Sequence, residues 1–198
     1  MEELFQIGQE IRAARGVQCR LPALTLMSDP ARIPDICAAA RAMPRESGLI
    51  YRHFGNSDAE RTARKLRQIC FARDMVFLIG KDANLAIACG ADGVHFPSID
   101  IEGATLWRAR CPDWVISAAV HDGAQMTRAN AAPLDAVIVS SVFESASISA
   151  GKALEVGGLN ALANNNAHPI IALGGIRGGN ARALIGARAA GIAGVSFT

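Results

Sequence analysis

Two adjacent glycines near the end of the sequence form the segment best suited to hold an anion. Gly174 and Gly175 follow the apolar run Ile170–Leu173, and a helical stretch begins near Asn180. Because glycine has no side chain, the backbone N–H groups of such a pair can approach an oxyanion closely, and the positive end of the following helix adds to the attraction. The alternative is that the two glycines only make a tight turn.

Charged and polar residues follow other apolar runs in the same way. Arg52, Lys81 and His121 come at or just after the ends of three such runs, and a further set is Asp100, Glu144, Ser145, Ser147, Lys152 and Ser196. Arginine binds acidic groups through paired N–H donors, although a simple salt bridge is the alternative for Arg52. Histidine exchanges a proton near neutral pH, which suits general acid–base catalysis. These residue types predict a site for a small acidic molecule.

The elements that must position these residues alternate regularly along the sequence. The predicted strands are Ala23–Met27, Gly48–Arg52, Met75–Ile79, Gly93–Phe96, Trp114–Val120, Ala136–Phe143, Ile170–Leu173 and Gly194–Phe197. The helical stretches between them include Ala59–Phe71, Ile101–Arg110, Gly157–Asn165 and Asn180–Ala190. Alternation of this kind means parallel strands with right-handed crossovers, and eight units favour a single-domain α/β fold, the closed (β/α)8 TIM barrel. The alternative is an open doubly wound sheet, but the turn after the first strand lacks GxGxxG.

A barrel places the ends of all its strands at one mouth, where such folds carry their sites. The loops after the seventh and eighth strands usually form a phosphate cup, which favours the anion-binding interpretation of Gly174 and Gly175. The other half of that cup would come from Ser196–Thr198 at the end of the sequence.

Both ends of the sequence bear on how the barrel is covered. A helical segment, Glu2–Arg15, precedes the first strand, and the sequence stops directly after the eighth predicted strand. We therefore expect a barrel that lacks its last outer helix, with a helical extension at residues 1–20 and the barrel proper at residues 21–198. The uncovered apolar groove predicts that the N-terminal helix covers it, or that a partner subunit does so in a homodimer.

Composition excludes several classes of protein. The 198 residues are 51% hydrophobic and 19% charged, with a net charge of +2 and basic residues scattered along the sequence, which argues against disorder, nucleic-acid binding and membrane association. Five widely spaced cysteines without a CxxC pair indicate reduced thiols rather than disulfides or a zinc site. Without a signal-like start or a long apolar run, we expect a cytoplasmic protein.

Several of these segments carry a family resemblance. Gly90-Ala91-Asp92-Gly93-Val94-His95 matches a characteristic "ADGVH" block, and Ile171–Ile176 followed by Asn180 matches a phosphate segment. In these segments the sequence is similar to the thiamine-phosphate synthase and thiazole tautomerase (TenI) superfamily, from roughly Leu24 to the end. The resemblance implies a TIM barrel, a phosphorylated substrate and an enzyme that is either a transferase or an isomerase.

Departures from the synthase pattern bear on the reaction. Where that pattern has Gln, Arg and Lys, this sequence has Ile50, Arg52 and Phe54, and a metal-binding Asp is replaced by Lys81. The second metal Asp corresponds to Asp100. A lysine ammonium in place of a carboxylate argues against Mg²⁺, and an ion pair between Lys81 and Asp100 would exclude it. We therefore predict no metal and no cofactor.

The strand-six loop departs as well. Its Thr-x-Thr-Lys becomes Ser145-Ala146-Ser147-Ile148, so the lysine that binds pyrophosphate is missing, and Lys152 is the candidate to replace it. Pyrophosphate is a difficult leaving group without a metal or such cations.

The tautomerase branch of the superfamily fits some of these details better. Phe143-Glu144-Ser145 resembles its "FET" segment, and His121 aligns with the histidine that moves a proton on the thiazole carboxylate phosphate. The resemblance thus implies His121 and Glu144 as catalytic residues, and tautomerase-like proton transfer is favoured over Mg-dependent synthesis. The alternative is a catalytically degenerate protein that only binds a phosphorylated metabolite.

Overall fold

The computed structural model is a closed barrel of eight parallel strands, as predicted. It describes residues 1–145, 151–164, 166–195 and 197. The strands are β1 (Leu24–Met27), β2 (Gly48–Tyr51), β3 (Val76–Gly80), β4 (Gly93–Phe96), β5 (Val115–Val120), β6 (Ala136–Val139), β7 (Ile170–Leu173) and β8 (Gly191–Gly194). Each strand pairs with the next one in the sequence, and β8 pairs with β1 to close the barrel.

Helices surround the barrel in the order that the alternating pattern predicts. They are α1 (Glu2–Arg15), α2 (Ile36–Ala42), α3 (Ala59–Ala72), α4 (Ala83–Cys89), α5 (Gly103–Arg110), α6 (Gly123–Asn130), α7 (Glu155–Ala163) and α8 (Gly178–Ala181). Two short 3₁₀ helices lie at Ser98–Asp100 and Arg182–Leu184. None of the helices in these described ranges combines the length and apolar character needed to cross a bilayer.

The core has two layers, as expected for a barrel. Residues such as Met27, Ile50, Leu78 and Ile138 form one buried cluster in the barrel interior. A larger cluster, with Phe77 and other side chains from the opposite faces of the strands, packs against the helices. Because both faces of every strand are covered, the strands are almost continuously apolar, and these apolar runs are what identifies the strands in the sequence.

The N-terminal helix α1 covers the outer wall of the barrel beside β8 and β1. Its buried face includes Ile7 and Ile11. At Gly8 a Cβ atom would lie 2.7 Å from the Ala23 carbonyl oxygen, so glycine permits this close approach. The Arg12 guanidinium donates to the backbone carbonyl oxygens of Ala190 at 2.8 Å and of Leu21 at 2.7 Å, which precede β8 and β1 in the sequence.

Three elements differ from the sequence prediction by more than two residues at a boundary. The eighth strand is Gly191–Gly194 rather than Gly194–Phe197, because residues 191–194 are the ones in register with β1 and β7. The helix predicted over Asn180–Ala190 is only the short α8 and a 3₁₀ turn. The sixth strand ends at Val139, and the residues that follow turn toward β7, where the N–H of Val142 donates to the Leu173 carbonyl oxygen at 2.9 Å.

Candidate active site

A cavity of about 1460 Å³ opens at the carboxyl ends of the strands. This volume exceeds the range of about 300–1,000 Å³ that is typical of small-molecule sites. Most of the predicted site residues line it, namely Arg52, Lys81, His121, Glu144, Ser145, Lys152, Gly174 and Gly175. The cavity therefore brings together residues from strands that are far apart in the sequence.

Three predicted residues are not placed in this cavity. Asp100 lies in the 3₁₀ helix after β4 and is not among the residues that line the cavity. Ser147 and Ser196 lie outside the described residues. Of the described residues, Ala193, Gly194 and Val195 form the strand-eight part of the cavity wall.

The imidazole of His121 is oriented by the end of the neighbouring strand. His121 directly follows β5, and its Nδ1 lies 3.1 Å from the carbonyl oxygen of Ser140, which directly follows β6. The Ser140 Oγ lies 3.0 Å from the same nitrogen. Because a carbonyl oxygen only accepts hydrogen bonds, this contact favours the tautomer with the proton on Nδ1, in which Nε2 is the basic nitrogen.

Arg52 forms the cationic part of the wall at β2. Its Nε donates to the Ser28 carbonyl oxygen at 2.8 Å, and its guanidinium carbon lies 5.1 Å from the centre of the Phe54 ring. An Nη atom lies 3.9 Å from the Asp29 carboxylate. Burial lowers the pKa of the Arg52 guanidinium from its ordinary value, and Asp29 partly offsets that shift. Arginine remains charged under these conditions, so Arg52 is a fixed cation at the cavity.

The glycine pair forms a tight turn against the loop that follows β6. Gly174 and Gly175 have φ values of 104° and 65°, which favour glycine. A Cβ atom at Gly174 would lie 2.2 Å from the Ser141 Oγ, and one at Gly175 would lie 2.2 Å from the Glu144 carbonyl oxygen. The Asn180 side chain stabilises the turn by donating a hydrogen bond to the Gly175 carbonyl oxygen at 2.9 Å. The turn thus exposes backbone, rather than side chains, to the cavity.

Two carboxylates near the cavity, those of Asp29 and Asp82, each lie close to a side-chain nitrogen of another residue. Asp29 lies beside Arg52, and Asp82 lies 3.5 Å from the Nε2 of His53. Lys81 also lines the cavity, and within the described ranges no ion pair joins it to Asp100. In the same ranges no three His, Cys, Asp or Glu side chains converge.

The part of the cavity wall next to the glycine turn is formed by Glu144, Ser145 and Lys152. Glu144 is exposed, and it reaches the cavity from the segment that follows β6. Lys152 is exposed on the same edge, together with Arg177 from the turn after β7. Their positive charges lie near the glycine turn and would attract an anion bound there.

His95 is a buried residue of β4 that also lines the cavity. Its Nδ1 lies 3.0 Å from the Ser117 Oγ on β5. Burial, with smaller contributions from Arg52 and His121, lowers the pKa of His95 to about 3. The imidazole is therefore neutral at physiological pH, which makes it a poor proton carrier there.

Two residues that matter to this geometry are not among the site residues predicted from the sequence. Ser140 was assigned to the interior of the sixth strand, but that strand ends at Val139. The sequence did carry a signal for the end of this strand, since Ser140 and Ser141 interrupt the apolar run Ala136–Phe143. Gly80 at the end of β3 lies against the stem of Arg52, a contact that no local pattern indicates.

Comparison with known proteins gives a consistent result. The family described as thiamine monophosphate synthase matches residues 41–197. The chain is similar to the thiamine-phosphate synthase of Anoxybacillus flavithermus, with 34% identity over 140 residues, which is 69% of this chain and 63% of that protein. It is also similar to the enzyme of the same name from Geobacillus kaustophilus, with 31% identity over 71% of this chain and 64% of that protein. The matched part thus spans less than two thirds of either relative.

A solved structure shows the same fold. The thiamine phosphate pyrophosphorylase of Pyrococcus furiosus superimposes with a TM-score of 0.68 and 21% identity, over 86% of this chain and 83% of that one. At this level of identity the likeness supports the barrel and its topology.

Proposed function

Because this chain belongs to the thiamine monophosphate synthase family, we propose that it acts in thiamine biosynthesis as a tautomerase-like isomerase on a thiazole phosphate. The observation that carries the proposal is the hydrogen bond of His121 to the Ser140 carbonyl oxygen, which leaves a basic nitrogen at the cavity. The substrate phosphate would bind at Gly174 and Gly175, with Lys152 adding positive charge.

The proposed step is a proton shift within one molecule. The Nε2 of His121 takes a proton from one position of the ligand and returns it at another, so no atom is lost and no bond to the protein forms. A histidine suits both halves of the step because it exchanges its proton near neutral pH. Glu144, at the same mouth, would be the second acid–base group.

We propose that this reaction uses no divalent cation. Support comes from Lys81, whose ammonium lines the cavity where a second metal carboxylate would be needed, and from the engagement of Asp29 and Asp82. A proton shift has no pyrophosphate leaving group, so it does not need a metal to stabilise one. Addition of EDTA should therefore leave the activity unchanged, whereas loss of activity that Mg²⁺ restores would contradict this part of the proposal.

The test compares two reactions and two variants. Purified protein is supplied either with thiazole carboxylate phosphate, whose tautomers are followed by NMR, or with a thiazole phosphate, a pyrimidine pyrophosphate and Mg²⁺, whose coupling product is thiamine phosphate. We expect tautomerisation. His121→Gln should slow it by about 10²–10⁴-fold while substrate affinity stays within about twofold.

The matched control is His168→Gln. His168 follows α7 at the opposite end of the barrel, where its Nε2 lies 3.0 Å from the Ala129 carbonyl oxygen. This variant should keep wild-type turnover. Coupling without tautomerisation would overturn the proposal, and binding of the phosphate with neither reaction would show that the chain is a binding protein.

A further inference from the structure

Gly80, the last residue of β3, has no conformational reason to be glycine. It lies in regular strand and is not among the glycines with positive φ. Its surroundings supply the reason, because a Cβ atom at Gly80 would lie 2.9 Å from the Cγ of Arg52 and 3.5 Å from the Tyr51 carbonyl oxygen. A contact of 2.9 Å between two carbons is closer than van der Waals packing allows. The missing side chain therefore makes room for the stem of Arg52.

The stem of Arg52 is held in that space by the groups around its guanidinium. The Nε atom donates to the Ser28 carbonyl oxygen at 2.8 Å, and the Arg52 backbone N–H donates to the Ser28 Oγ at 2.7 Å. The guanidinium also faces the Phe54 ring and the Asp29 carboxylate. Because Cγ is close to the backbone, it cannot move away from an added methyl group without breaking the Nε hydrogen bond.

We propose that Gly80 is a positioning residue, which fixes the direction of the Arg52 side chain and thereby the place where the cavity binds an acidic group. The proposal rests on the proposed function only in that the ligand of this cavity is an anion. It predicts that a side chain at position 80 weakens anion binding through Arg52 and through no other contact.

A double-mutant cycle tests this with inorganic pyrophosphate as the probe. Affinities are measured by calorimetry in EDTA for the wild type, Gly80→Ala, Arg52→Ala and the double variant. We expect each single substitution to raise Kd by about tenfold or more, since a charge-assisted pair is lost. The double variant should bind no more weakly than Arg52→Ala. Additive effects would overturn the proposal, because Gly80 would then act independently of Arg52.

The control is Gly157→Ala. Gly157 lies in α7, its φ is not positive, and among the described residues no atom beyond its chain neighbours and its own helix backbone would lie within 4 Å of its Cβ. This variant should bind pyrophosphate like the wild type. If the wild type does not bind pyrophosphate, or if Arg52→Ala binds it as well as the wild type does, Arg52 is not its ligand and the proposal is overturned, while the tautomerase assay still tests the proposed function separately.

Two readouts do not depend on a ligand. In ¹H–¹⁵N spectra the Arg52 Nε–H resonance should shift in Gly80→Ala, and an unchanged resonance would overturn the proposal. If Gly80→Ala does not fold, the double variant should fold as Arg52→Ala does, because the clashing stem is gone. Failure of the double variant to fold where Arg52→Ala folds would likewise contradict it.

Discussion

The imidazole of His121 is held by the backbone of Ser140, with Nδ1 at 3.1 Å from the carbonyl oxygen and at 3.0 Å from Oγ. The two residues directly follow neighbouring strands, β5 and β6, so the barrel itself sets their separation. The carbonyl oxygen can only accept, so its contact favours a proton on Nδ1, whereas the hydroxyl can donate or accept and is an additional partner. This difference gives a prediction.

Ser140→Ala should have only a small effect on turnover. The variant removes Oγ but keeps the carbonyl oxygen, so His121 retains its orientation and tautomer, and we expect a rate within about threefold of the wild type. NMR assay of tautomerisation measures this beside His121→Gln. A loss as large as that of His121→Gln would mean that the hydroxyl, and not the carbonyl oxygen, orients the ring.

Gly175→Ala should disable the phosphate end of the cavity. The residue has φ 65°, and a Cβ atom would lie 2.2 Å from the Glu144 carbonyl oxygen. Left-handed backbone costs a residue with a Cβ about 1–2 kcal/mol, and relief of the clash would move the turn. We expect at least about tenfold weaker binding of inorganic phosphate, since the N–H donors lose their alignment.

Calorimetry with inorganic phosphate checks this prediction, and Gly179→Ala is its control. Gly179 follows in the same segment, but its φ is not positive, and a Cβ atom there would meet no described atom within 4 Å beyond its chain neighbours and the local helix backbone. Equal affinities for the two variants would show that phosphate does not bind at the glycine turn.

Because of His95, the free energy of unfolding should be lower in mild acid than at neutral pH. Its pKa is about 3 in the folded protein because of burial, against an ordinary value of 6.5. Between these pH values the unfolded chain takes up a proton that the folded chain does not, so this group's contribution to stability is complete above pH 6.5 and is lost as the pH falls. From pH 7 to pH 5 the loss is about 2 kcal/mol.

Urea unfolding at pH 7 and pH 5 measures that loss. In His95→Gln the imidazole is absent, so the free energy of unfolding should fall less between the two pH values than it does in the wild type. An equal fall in both proteins would show that His95 is not the group that couples proton uptake to unfolding.

Ile7→Ala should destabilise the barrel even though Ile7 lies outside it, on α1. Ile7 is fully buried against the wall that α1 covers. Removing a buried isoleucine side chain costs about 2–5 kcal/mol. Gln6→Ala on the exposed face of the same helix should change the free energy of unfolding by about 0.5 kcal/mol or less. Denaturant unfolding compares the two, and similar values would mean that α1 contributes little to the fold.

The sequence predicted the barrel and most of its strands because strands covered on both faces must be apolar throughout. It predicted the glycine turn for a related reason, since a left-handed backbone with a close neighbour admits only glycine. The eighth strand was misplaced by three residues because Gly191–Gly194 contains little that marks a strand in isolation. Its position is decided by hydrogen bonding to β7 and β1.

Only the tertiary structure decided how the site residues act on one another. The sequence by itself determined that His121 and Arg52 end strands of a barrel and share its mouth. That Ser140 contacts His121 and that Gly80 admits the stem of Arg52 both depend on contacts between different strands. Such contacts follow from register and barrel closure, and residues far apart in the sequence carry no local pattern that records them.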